Sequence, residues 1–109
     1  MKPRLAIFLA WLFLQASGAS ALDVPELRAR VTDLAGILTA EQAAGLEAKL
    51  EELERTDSTQ VAVLIIPSLE GESLEDYSLR VAENWKLGRK GRDNGAILLI
   101  AMKERRIRI

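Results

Sequence analysis

Residues 60–101 read QVAVLIIPSLEGESLEDYSLRVAENWKLGRKGRDNGAILLIA, and this stretch decides the fold. It opens on residues 60–66, a short run rich in β-branched side chains and apolar on consecutive positions. A half-exposed strand alternates apolar with polar, so the unbroken run predicts a strand covered on both faces. Pro67 ends it, having no N–H to give to a ladder. Ser73 then stands as a helix N-cap, with Glu75 and Asp76 in the first turn, where the macrodipole favours acids. Leu74, Tyr77, Val81 and Trp85 share one helical face and predict its buried stripe, with Ala82 beside it. A glycine-rich basic loop follows, residues 87–95 (LGRKGRDNG). Residues 96–101 (AILLIA) predict a second strand of the doubly covered kind. Two such strands joined through a helix make a βαβ unit and set the class as α/β.

Upstream, Thr39 precedes a helical pattern and Gln42 lies three residues on, the spacing of a capping box. Ala43, Leu46, Leu50 and Leu53 recur at helical spacing, while Glu41, Glu47, Lys49, Glu51 and Glu52 mostly fall elsewhere. The pattern predicts a helix ending near residues 56–58. Before it, residues 30–33 read as a brief extended segment and residues 33–36 as a turn. Gly36 there is free to take a positive φ. Downstream, residues 102–105 turn the chain, and residues 106–109 (RIRI) alternate like the start of a returning, half-exposed strand. The architecture expected is an α/β sandwich: a βαβ core with a following hairpin, incomplete at its C-terminus. Because the sequence stops inside a strand, it reads as a piece of a longer protein.

The first 21 residues follow a different logic. Lys2 and Arg4 give a positive start, with no acid before Asp23. Residues 5–14 (LAIFLAWLFL) form an apolar run of about ten residues, where a membrane span needs about 20. Small side chains follow, ending Ala19-Ser20-Ala21, as a signal peptidase with narrow subsites requires. Residues 1–21 are therefore expected to be a signal peptide cut after Ala21. Residues 22–29 are a lead-in, and residues 30–109 are the domain. The location expected is periplasmic, lumenal or extracellular.

Removing 21 of the 109 residues leaves 88, enough for one small core. The chain has no cysteine and no histidine. Disulfides, thioether lipidation, thiolate or imidazole metal sites and Ser–His or Cys–His nucleophiles are thereby excluded from this sequence. Without Lys2 and Arg4 the 15 basic residues become 13, against 16 acids, so the processed chain carries a net charge of −3. Nucleic acid is not an expected partner of such a surface.

Chemistry here must use carboxylates, amides, hydroxyls, Lys or Arg. The 88–95 loop carries Arg89, Lys90, Arg92, Asp93 and Asn94 between glycines. Its amides and cations can hold an anion, and Asp93 with Asn94 offers oxygen ligands to a hard cation. It is no P-loop, since the order of strand and loop is reversed and no GK[ST] is present. A solvated turn feeding a strand is the blander reading. Asp33 likewise has two: an Asx-turn carboxylate bonded to backbone ahead of Gly36, or an acid that meets Asp93 at one end of the sheet to bind a cation or move a proton.

VTDLAGILTAEQ (31–42), the 60–101 stretch and the ending KERRIRI strongly resemble the TPM domain, named from thylakoid-lumen, photosystem-repair and receptor-modulator proteins. The resemblance runs collinearly over residues 30–109. It implies a three-layer α/β/α sandwich on the non-cytoplasmic side of a membrane. It also implies divalent-cation binding (Ca²⁺ or Mg²⁺), accessory roles toward membrane protein complexes and, for a plant member, acid phosphatase activity. By motif position Asp33 matches the family's opening acid, and Asp93 and Asn94 match its DNG. On this reading Asp33, Asp93 and Asn94 would hold the metal, Asp33 and Asp93 would act in catalysis, and Arg89, Lys90 and Arg92 would meet the phosphate. The leading expectation is an exported module that helps maintain or assemble membrane proteins. A metal-dependent phosphatase is the alternative, and a domain with a purely structural cation the third reading.

Overall fold

The structure is a computed structural model and describes residues 21–87 and 94–109. The elements in chain order are β1 (Val31–Asp33), α1 (Ala40–Asp57), β2 (Gln60–Ile66), α2 (Leu74–Trp85), β3 (Gly95–Ala101) and β4 (Arg106–Arg108). They form one four-stranded sheet in the order β1-β2-β3-β4. The first three strands run parallel and β4 returns antiparallel to β3. The βαβ unit and the hairpin stand where the sequence puts them.

Each helix begins as its cap residue dictates. Thr39 Oγ1 accepts the Gln42 N–H at 3.0 Å and Gln42 Oε1 accepts the Thr39 N–H at 2.9 Å, a complete capping box. Ser73 Oγ accepts the Asp76 N–H at 3.0 Å and opens α2. Both helices end on a left-handed residue, Ser58 (φ 61°) and Lys86 (φ 48°), whose N–H closes the last turn.

Strand register sorts the side chains. Ala62, Leu64 and Ile66 of β2 pair with Ile97, Leu99 and Ala101 of β3, so these six share a face. Leu74, Tyr77, Val81 and Trp85 of α2 pack on that face, together with Leu69. The four α2 residues are those its spacing predicts. The intervening Val63 and Ile65 are also buried and point the opposite way, beneath α1. The sheet thus lies between α1 and α2, and the three-layer α/β/α sandwich holds.

The two helix layers differ. α1 touches β1 and β2 but not β3 or β4. Ala43, Leu46 and Leu50 are half-buried, Leu53 is exposed, and α1 has no fully buried residue. The expectation that β3 is covered on both faces therefore fails on the α1 side. Leu98 and Ile100 are only half-buried, and Ile107, which pairs with Ile100, is 63% exposed. An unbroken apolar run reports that both faces are apolar; it does not report what covers each.

Candidate functional site

Asp33 closes β1, and its carboxylate is fully engaged with the loop that follows. Oδ1 accepts the N–H of Ala35 at 3.1 Å and of Gly36 at 2.8 Å, while Oδ2 accepts the N–H of Leu38 at 2.8 Å. Gly36 takes a φ of 67°, the turn geometry that brings these amides round to one carboxylate. Of the two readings of Asp33, the backbone-binding turn is the one the geometry supports.

Asn94 sits elsewhere. Its carbonyl accepts the Gln60 N–H at 2.8 Å, and its Nδ2 donates to the Ser58 carbonyl at 2.5 Å. It ties the beginning of β3 to the beginning of β2. Asp33 is in register with Ile65, and Ile65 with Ile100, whereas Gly95 pairs with Gln60. In a parallel sheet these are opposite ends, about 20 Å apart at roughly 3.3 Å per residue. Asp33 and Asn94 therefore do not fit a single cation, whose oxygen ligands lie within about 2.6 Å of it. Strand direction separates Asp33 from Asn94, since Asp33 ends β1 and Asn94 precedes β3; the expected meeting of Asp33 with Asp93 falls on a residue outside the described ones. Among the described residues no three acids gather into a metal-binding group. Arg89, Lys90, Arg92 and Asp93 lie outside the described residues.

Two polar clusters that the sequence reading passed over do the anchoring. In the first, Glu47 of α1 accepts the N–H of Val31 at 3.0 Å and of Arg30 at 3.2 Å. The Arg30 guanidinium bonds Glu47 at 3.1 Å and Glu54 at 3.2 Å. Burial pushes the Glu47 carboxyl up, but the two amides and the guanidinium outweigh it and hold the group below its ordinary value. In the second, Arg80 Nη2 grips both oxygens of Glu72 at 2.6 Å, and its guanidinium lies 5.3 Å from the Tyr77 ring centre. The Arg80 hydrogen bonds lower the Glu72 carboxyl against a smaller opposing effect of burial, helped by the N–H of Leu22. Glu47 with Glu54, and Glu72 with Arg80, stand seven and eight residues apart, spacings that fall on one side of a helix or its approach. That was the available signal.

The lead-in is part of the fold. The Tyr77 hydroxyl donates to the Asp23 carbonyl at 2.9 Å and the Trp85 indole N–H donates to the Pro25 carbonyl at 2.8 Å. Leu22 and Val24 pack against the core. Buried Tyr and Trp need partners for their polar tips, and the lead-in backbone supplies them. Beside α2 a groove of about 410 Å³ runs between Leu79, Ala82, Leu87, Ile97, Leu99 and Ile109, with Glu75, Lys86 and Arg108 among its polar lining.

The TPM domain family model matches residues 31–109. The chain belongs to the TPM domain family. A solved relative agrees with the TPM fold described above: the solution NMR structure of the N-terminal domain of a protein from P. gingivalis. It is 30% identical, with a TM-score of 0.71 over 83% of this chain. The TPM chain spans 62% of that structure's length. No curated protein matches it. No described helix of this TPM domain is long and apolar enough to cross a membrane.

Proposed function

We propose that this TPM domain is an exported, non-catalytic binding module that serves as an accessory in maintaining or assembling membrane proteins. The observation that carries the reading is the state of Asp33. Its carboxylate holds three backbone amides of its own loop, an arrangement that builds a turn and leaves little capacity for a metal or a proton in flight. Its distance from Asn94 also speaks against a cation shared by those two residues. Export is supported by the charged start, the ten-residue apolar run and Ala19-Ser20-Ala21. The groove beside α2 supplies an apolar surface with charges of both signs, the character of a surface that takes a protein segment.

The test has two arms, both on the full exported protein. Phosphomonoester hydrolysis is measured with and without a chelator, for the wild type, Asp33→Asn and Asp93→Asn. The expected result is no chelator-sensitive turnover in any of them. A photo-crosslinker at the exposed Leu79 position is expected to capture a membrane protein, and Ala82→Arg, which fills the groove, to prevent it. Chelator-sensitive hydrolysis lost on Asp93→Asn would overturn the reading in favour of a phosphatase.

A further inference from the structure

The bonds that hold the lead-in single out one backbone nitrogen. Leu22 N lies 3.3 Å from Glu72 Oε1 and donates its N–H there. Ala21 is exposed and Leu22 half-buried, on either side of the peptide bond marked for cleavage by the signal-peptide reading. Beyond it, Leu22 and Val24 rest on the core, and the carbonyls of Asp23 and Pro25 are bonded to Tyr77 and Trp85. The residue that export processing would leave first is thus one that the fold holds.

Cleavage there would change the chemistry of that nitrogen. Hydrolysis adds water across the Ala21–Leu22 amide. The C–N bond breaks, Ala21 departs as a carboxylate, and the Leu22 nitrogen takes protons to become an ammonium near neutral pH. We infer that Glu72, held in place by Arg80, is a binding site for this new N-terminus, so that processing after Ala21 replaces an amide hydrogen bond with an ion pair and completes the lead-in's attachment to α2. The inference rests on the export reading above.

The group facing the nitrogen is an anion. Glu72 approaches from the loop before α2 and is gripped by Arg80 from α2, while the Tyr77 hydroxyl is occupied by the Asp23 carbonyl. Charge-assisted bonds are shorter and stronger than neutral ones. A partnered amine titrates above its unfolded value of about 8. Its contribution is therefore complete below that pH and disappears as pH rises through the higher folded value.

The experiment exports the full chain, establishes its N-terminal residue by sequencing, and follows the α-amine by NMR between pH 6 and 10, on protein labelled at leucine or, for the extended form below, at alanine. The same titration is run on Glu72→Gln and on a form that keeps Ala21 as its first residue, which leaves every side chain of the fold intact. The expected mature end is Leu22, with an amine titrating above the ordinary value. In Glu72→Gln and in the Ala21-extended form it should return to that value. A mature chain starting at another residue overturns the coupling to export. An N-terminal amine that titrates alike in wild type, Glu72→Gln and the extended form overturns the capture, while leaving export itself standing.

Discussion

α1 is half as long again as α2, yet it is α2 that holds the fold. The 12 residues of α2 include four that are fully buried, whereas the 18 of α1 include none. α2 rests on Ala62, Leu64, Ile66, Leu99 and Ala101, and the lead-in packs against the same core and bonds the polar tips of Tyr77 and Trp85. α1 is positioned by directional polar bonds: the capping box at Thr39 and the Glu47–Arg30–Glu54 clasp onto β1. Burial of large side chains contributes kilocalories each, while partly exposed ion pairs contribute about 1 kcal/mol or less. Length measures how much helix forms; the apolar stripe measures how firmly it is held.

The comparison breaks most readily in the α2 core. Trp85→Ala removes a buried indole and its bond to Pro25, and should cost about 3–5 kcal/mol. Urea denaturation of this variant should show a largely unfolded chain, whereas Leu50→Ala, its half-buried counterpart on α1, should lose about half as much or less. Equal losses would remove the distinction between the helices. Next is Tyr77→Phe, which keeps the ring but leaves the Asp23 carbonyl without its donor; about 1 kcal/mol should be lost. Limited proteolysis should show earlier cutting in residues 22–29.

On the α1 side, Thr39→Ala opens the capping box and should cost about 1 kcal/mol, read as a fall in melting temperature of about 4–8 °C. The smallest effect concerns pH. Glu47 titrates below its ordinary value in the fold, so its contribution is complete above the unfolded value of 4.5 and is lost as pH falls through the lower folded value. Glu47→Gln should flatten the acid limb of the stability curve below that pH and leave its slope near neutrality unchanged. Melting curves between pH 3 and 7 check it.

The elements were legible because they depend on local patterning. Residues 60–66 and 96–101 announce strands by composition, and Leu74, Tyr77, Val81 and Trp85 announce a buried face by period. Cover was not legible: β3 carries the same kind of apolar run as β2, yet α1 reaches only β1 and β2. The candidate site was less legible still. Asp33 and Asn94 both flank strands in sequence, and only the parallel direction of β1, β2 and β3 shows that they occupy opposite ends. Residues 22–29 read in sequence only as a lead-in, with Pro25 discouraging regular structure. Its attachments run through backbone carbonyls, which every sequence contains, and through the polar tips of two buried aromatics.

Native-state hydrogen exchange followed by NMR tests the central claim directly, that stability resides on the α2 face and α1 is fastened to it. Amides of α2 and the middle of β2 should exchange only through global unfolding, with the same opening free energy as urea denaturation reports. Amides of α1 should exchange through a smaller opening, lowered further by Glu47→Gln while α2 stays protected. Protection of α1 equal to that of α2, unaffected by Glu47→Gln, would contradict the account.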